Sequence, residues 1–352
     1  MDPVLSFCLQ ILIIFLCCAV CSADISCKNE AGEPIDWFII YKLPNYKIGE
    51  VGSGVDYMYM DSSIGSWQMS KFMVNTSQGA MANTLNQLYM GKAYESNSSV
   101  YALYNDAPPI LDYKQGYGHT KGALLFDLSQ GFWLSHSIPH FPSFPERGYH
   151  YPSSGKVYGQ TAFCVTYRYD QLLQIAKQMV YLYPRFYNCS VPAAFLADLP
   201  QLVQLCEGSK LPLASDKSVE QLFSIRGDKI VSFVKSESFV DDIYTGWVAQ
   251  DLDADLLVES WQTKGHELLS NCSLRKHTMN IKRIRLPGSV RFQSYNDHSK
   301  WCVSRAYEDQ VTCVGDLNRE KAQMWRGGGL LCTFNPLIYK AFRQVVEWYI
   351  GC

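Results

Sequence analysis

Apolar positions in this chain gather into short dense runs rather than long stripes. The segments DWFIIYKL (36–43), VYALYND (100–106), ALLFDL (123–128), GFWLSHSI (131–138), AFCVTYRY (162–169), KIVSFV (229–234), NIKRIRL (280–286), KWCVS (300–304) and VTCVG (311–315) are rich in β-branched and aromatic residues and predict strands. Helical spacing predicts helices over 169–183 (YDQLLQIAKQMVYLY), over 193–206 and over 335–350. The last is the clearest: Asn335 suits the cap, Pro336 the first turn, and Leu337, Ala341, Val345 and Tyr349 fall on one face. Strands interleaved with helices predict an α/β or α+β protein, with a mixed sheet packed by helices.

The N-terminus breaks that pattern. An unbroken apolar stretch runs from Ile11 to Val20, followed by the small residues CSA before Asp24. It is too short to span a bilayer comfortably, so it predicts a cleaved signal peptide over 1–23, although Asp2 stands where a basic residue is usual. Four Asn-x-Ser/Thr sequons, at Asn75, Asn97, Asn188 and Asn271, fit a secreted or lumenal chain. Nine of the 13 cysteines follow Ala23, an odd number that allows at most four bridges and leaves one thiol. None forms a CxxC pair, which argues against a zinc site. The composition is that of a globular chain, with 47% hydrophobic residues and a formal charge of −2. In an acidified compartment seven histidines would turn that balance positive and favour a polyanionic substrate.

One triplet occurs twice, as His119-Thr120-Lys121 and His298-Ser299-Lys300, once in each half of the chain. On extended backbone the first and third side chains share a face, so each triplet offers an imidazole and an ammonium to one space. Two such pairs facing each other would supply a nucleophile, an acid/base partner and two cations, enough to cleave a phosphodiester without a metal. The plainer alternative, two solvated strand ends, stays open. So do the alternatives for the flanking candidates. His136 is an accessory group or a core histidine; Asn318 holds phosphate or makes a turn; the run from Arg326 to Cys332 wraps phosphate or is a tight loop. Between Arg275 and Arg305 basic residues outnumber acids heavily, and Lys282, Arg283, Arg285 and Arg291, with Arg326, are candidates for a nucleic-acid backbone track or a solvated face. Other chemistries fit poorly. Neither GxSxG nor GxxxxGK[ST] occurs, and DLDAD (251–255) has Leu256 and Gln262 where a calcium loop needs Gly and Glu, so it predicts a helix-to-strand junction. Asp241 and Asp242 are adjacent, so their side chains diverge.

In chain order, DWFIIYKLP, YNDAPP, GHTKG, GFWLSHSIPHFP, DDIYTGW, DHSKWCV, TCVGDLNR and the RGGG and LLC of 326–332 resemble the deoxyribonuclease II family of lysosomal acid nucleases, from Asp36 to Cys352. Cys189 and Cys206 make the chain more similar to the beta branch. The resemblance implies a phospholipase D-like fold, two related lobes (24–210 and 211–352) forming a pseudo-dimer around a cleft. It implies endonucleolytic hydrolysis of double-stranded DNA at acid pH without cofactor, leaving 3′-phosphate and 5′-hydroxyl ends. His119, Lys121, His298 and Lys300 match its catalytic pairs, His136 a further histidine, and Asn318 the Gly-Ser-x-Asn element. It also implies bridges Cys27–Cys164, Cys272–Cys352, Cys313–Cys332 and, for the beta branch, Cys189–Cys206, leaving Cys302 free. A lysosomal enzyme, monomer or homodimer without a membrane anchor, follows. A departure stands out: where the superfamily places Asp after each lysine, this chain has Phe126 and Arg305, and Asp127 is displaced by one, which leaves open what orients each imidazole. A lipid phosphodiesterase of the same fold, or a glycoprotein that binds DNA without cutting it, are the rival functions.

Overall fold

A computed structural model describes residues 24–46 and 52–352; the predicted signal peptide at 1–23 lies outside the described residues. A small hairpin, β1 (Cys27–Lys28) with β2 (Pro34–Ile35), precedes the first large sheet. That sheet holds β3 (Trp37–Lys42), β4 (Tyr57–Asp61), β5 (Gln68–Met69), β6 (Val100–Asn105), β7 (Lys121–Phe126), β8 (Gln130–His136), β9 (Gln160–Arg168) and β10 (Phe186–Ser190), in the order β10-β6-β7-β8-β9-β3-β4-β5. The second sheet holds β11 (Lys217–Phe223), β12 (Lys229–Lys235), β13 (Leu256–Ser260), β14 (Thr278–Leu286), β15 (Val290–Gln293), β16 (Lys300–Ser304), β17 (Thr312–Gly315) and β18 (Gly328–Thr333), in the order β11-β12-β18-β17-β16-β13-β14-β15; β19 (Val346–Ile350) joins β14.

The two sheets repeat one plan. β3-β9-β8-β7-β6 in the first and β12-β18-β17-β16-β13 in the second are five strands in the same relative chain order, every neighbouring pair antiparallel. Each His-x-Lys lysine opens the equivalent strand: Lys121 starts β7 and Lys300 starts β16. Each histidine sits two residues earlier, on the approach to its strand.

Both faces of these strands are buried, which is why they read as continuous apolar runs. In β3, Trp37, Ile39 and Tyr41 enter one apolar layer and Phe38 and Ile40 another, as period-two alternation requires. The first layer lies between the sheets and also takes Leu257, Trp301 and Val303 of the second sheet. Helices α2 (Tyr169–Leu182) and α4 (Pro336–Val345) fill it with Leu172, Ile175, Met179, Ile338 and Phe342. Helix α1 (Ala80–Tyr89) covers the outer face of the first sheet, and a helical segment at Ile243–Val248 covers that of the second.

Two predicted helices are shorter than expected. The 193–206 pattern breaks into a single turn at Ala193–Phe195 and α3 (Pro200–Cys206), because Pro200 begins a new helix and keeps Leu199 out of the α region. Asn335 does cap α4, its side chain accepting from the Leu337 amide at 3.0 Å, but the helix stops at Val345. Residues 346–350 are β-branched or aromatic at four of five positions and pair antiparallel with β14 instead, so Tyr349 lies on a strand. The buried face of α4 is Ile338, Tyr339, Ala341, Phe342 and Val345, while Leu337 is 45% exposed. DLDAD is the expected junction, leading from the helical turn at Ala249–Asp251 into β13.

Disulfides join Cys27–Cys164, Cys189–Cys206, Cys272–Cys352 and Cys313–Cys332, and Cys302 is buried and unpaired. Asn75 and Asn97 are exposed; Asn188 and Asn271 are half-buried. Among the described residues no helix is long and apolar enough to cross a membrane.

Candidate active site

His119 belongs to the first sheet, yet the second sheet holds it in place. Its amide donates to Gly327 O at 2.8 Å, and its Nδ1 lies 2.6 Å from Asp316 O. A carbonyl only accepts, so Nδ1 carries the hydrogen and Nε2 keeps a free lone pair. Gly118 donates to Tyr183 O at 2.9 Å, just beyond the end of α2. A Cβ there would sit 1.9 Å from Leu182 O, which is why the triplet opens with glycine. Lys121 is buried and pairs with Asp106, whose other oxygen takes a hydrogen bond from Arg326 at 3.0 Å. Arg326 also donates to Tyr117 O and Tyr113 Oη, both at 2.9 Å.

His298 is held reciprocally by the first sheet. Its amide donates to Gly159 O, and Gly159 N donates to Asn296 O, each at 2.9 Å. A Cβ on Gly159 would meet Asp297 Oδ1 at 2.4 Å. Among the described residues no hydrogen bond orients this imidazole. Tyr158 stacks flat against it, with centroids 3.9 Å apart at an interplanar angle of 7°, and Trp261 closes in at 4.6 Å. Buried Lys42 fixes the Tyr158 loop by donating to Lys156 O at 3.1 Å and to Tyr158 O. Behind the triplet, buried Asp297 accepts from Ser299 N at 2.9 Å and from Tyr41 Oη on β3 of the first sheet. Lys300 Nζ returns to His298 O at 2.6 Å.

These groups meet in one cleft of about 240 Å³, whose lining includes Asp106, His119, Lys121, His298, Lys300, Asn318, Glu320 and Arg326. Crowding of like charge in a desolvated site controls its protonation. Burial, then Lys121, holds His119 well below its ordinary value, and burial, then Lys300, pushes His298 down to about 2. Burial and Lys121 bring Lys300 down to about 7. Burial alone would raise Asp106, but Lys121, His119 and Arg326 outweigh it and hold this carboxyl below the usual carboxylate range. Burial lifts Asp316, beneath His119, to about 7.

Not every candidate reaches the cleft. His136 is buried against Phe141, accepts the Ile138 amide at Nδ1, and is brought to about 3 by burial; its neighbour Ser137 lines the cleft in its place. Arg283 and Arg291 pair with Glu347, Lys282 donates to Gln262 at 2.9 Å, and Arg285 lines a separate cleft with Lys340. All four lie on the β14–β15 hairpin. β14 runs parallel to β13 from Leu256↔Thr278 and continues past Ser260, the residue that pairs with Lys300. Asp127 and Arg305 stand at the far ends of β7 and β16, where they form a turn and pair with Asp255. Asp106, Tyr158, Trp261 and Asp316 were missed as site residues. The strand end in YNDAPP was the one local hint, for Asp106. Among the described residues, ligand-type atoms also gather at Cys272, His277 and Cys352, but the two sulfurs form a disulfide, which leaves a lone imidazole for a metal.

The family model for deoxyribonuclease II matches residues 26–352. The chain is 45% identical to deoxyribonuclease-2-beta of Homo sapiens over 334 residues, 94% of this chain and 92% of the relative. It is 38% identical to deoxyribonuclease-2-alpha of Sus scrofa, over 93% of this chain and 91% of the relative. It is 34% identical to plancitoxin-1 of Acanthaster planci, over 94% and 93%.

Proposed function

Because this chain belongs to the deoxyribonuclease II family and is a nuclease, we propose that its cleft hydrolyses double-stranded DNA in acid solution, without a metal, through a phosphohistidine. The observation that carries this is the meeting of both His-x-Lys pairs, Asn318 and Arg326 around one cleft. Lys121, Lys300 and Arg326 neutralise the non-bridging oxygens, and Asn318, whose Oδ1 has no partner among the described residues, orients one of them through its amide.

The two histidines are not equivalent, and the difference supports distinct roles for them. The hydrogen bond from His119 Nδ1 to Asp316 O fixes the tautomer and aims a lone pair from Nε2, as a nucleophile requires. His298 lies on an aromatic face, which favours the cationic ring an acid must be. His119 Nε2 forms a bond to phosphorus while the P–O5′ bond breaks and protonated His298 gives its proton to O5′. Water then attacks phosphorus, His298 takes its proton, and the P–N bond breaks to release a 3′-phosphate. In the free cleft burial, and then neighbouring cations, suppress the imidazolium; the negative phosphodiester restores it, and a low pH assists.

The repeated five-strand order supports a phospholipase D-like architecture with lobes over 24–210 and 211–352. The signal-like N-terminus and exposed Asn75 and Asn97 support delivery through the secretory path to the lysosome. Plasmid nicking in EDTA at about pH 5, with end-group analysis, tests the proposal. His119→Ala and His298→Ala should each abolish nicking; full activity in either, or a strict need for added metal, would refute it.

A further inference from the structure

Beside the catalytic cleft lies a larger cavity of about 710 Å³ that the reaction above does not use. The two share a wall. Asp106 and Ala107 line the cleft while Pro109 and Ile110 line the cavity; Ser137 and Pro139 line the cleft while His140 lines the cavity. His140 stitches the wall together, its amide donating to Ala107 O at 2.9 Å and its Nδ1 lying 3.1 Å from Pro108 O, with a left-handed backbone (φ 57°). The lining has two chemical parts. Ile110, Phe144 and Pro152 supply apolar and aromatic surface, while Arg147, His140 and His150 supply exposed cationic or donor groups. None of the described lining residues is a carboxylate; Glu146, next to Arg147, does not line it.

Apolar and aromatic surface lining one cavity with a guanidinium and imidazoles matches a nucleobase with its phosphate. A strand whose phosphate occupies the cleft must continue past one of its rims, and this cavity begins one residue beyond that rim. We propose that the cavity is a nucleotide subsite, holding the base and phosphate next to the scissile bond in the same DNA strand. It rests on the phosphodiesterase reading of the cleft and explains how a small catalytic cleft grips a polymer.

The test uses the exposed pair Arg147 and His150, which touch neither histidine of the cleft. In the double variant Arg147→Ala/His150→Ala, KM for a fluorescein-labelled thymidine octanucleotide should rise about five-fold. Hydrolysis of bis(p-nitrophenyl) phosphate, which has no flanking nucleotide, should stay within about two-fold of wild type. An unchanged octanucleotide KM, or an equal loss on both substrates, overturns the subsite. Should wild type cleave neither, the phosphodiesterase reading fails, and fluorescence anisotropy of the octanucleotide then decides the subsite alone. A Kd about five-fold weaker in the variant supports it, and an unchanged Kd rejects it.

Discussion

At the scale of single residues, this cleft orients one histidine with a backbone carbonyl and the other with an aromatic face. Tyr158 is therefore a positioning residue whose ring, not its hydroxyl, matters. Tyr158→Phe should keep near wild-type kcat, while Tyr158→Ala should lower kcat about ten-fold with little change in KM and move the acid limb of the kcat profile. A loss of the same size in both variants would show that stacking is not the cause. Asp106 carries a different burden. It is the buried partner of two buried cations, so Asp106→Ala leaves Lys121 and Arg326 uncompensated and should cost about 3 kcal/mol of stability, read by urea unfolding. Neither residue was visible as a site residue, because the register Asn105↔Lys121 that brings Asp106 to Lys121 is a property of the sheet.

Among elements, the decisive contacts are glycines at which the backbone beside each His-x-Lys triplet packs too closely for a side chain. Gly118 and Gly159 each leave no room for a Cβ against Leu182 O and Asp297. Gly118→Ala should lower both Tm and kcat, whereas Gly116→Ala, two residues away with open space around it, should leave both unchanged. Circular dichroism melts with plasmid nicking separate the two outcomes; equal tolerance would show that the loop relaxes freely. The strands carrying these loops were legible because they are buried on both faces and dense in β-branched and aromatic residues. Residues 346–350 were not, since a helical apolar spacing persists in VEWYI and only pairing with β14 turns it into a strand.

For the molecule as a whole, charge crowding in the cleft between the two sheets links activity and stability to pH. Lys300, brought to about 7, is charged below that value and loses its proton above it, so kcat/KM should fall with rising pH from about 7. A profile flat to pH 9 would remove Lys300 from phosphate binding. Asp316 acts on stability in the same direction. Its folded carboxyl holds a proton to about 7 against an ordinary 3.8, so its contribution is full below about pH 4 and is lost as pH rises through about 7. Asp316→Asn should flatten that slope, shrinking the Tm difference between pH 5 and pH 7.5 in calorimetry.

Composition and local pattern, unaided, determined the mixed α/β character, the positions of nine strands, the odd cysteine and the repeat of the His-x-Lys triplet, because each depends on residue type and spacing along a few positions. Only the tertiary structure decided that the two triplets share a cleft, that a carbonyl holds one imidazole and an aromatic ring the other, and that the basic hairpin lies outside it. Those outcomes depend on sheet register and on backbone contacts between chain segments far apart in sequence, which no local pattern encodes.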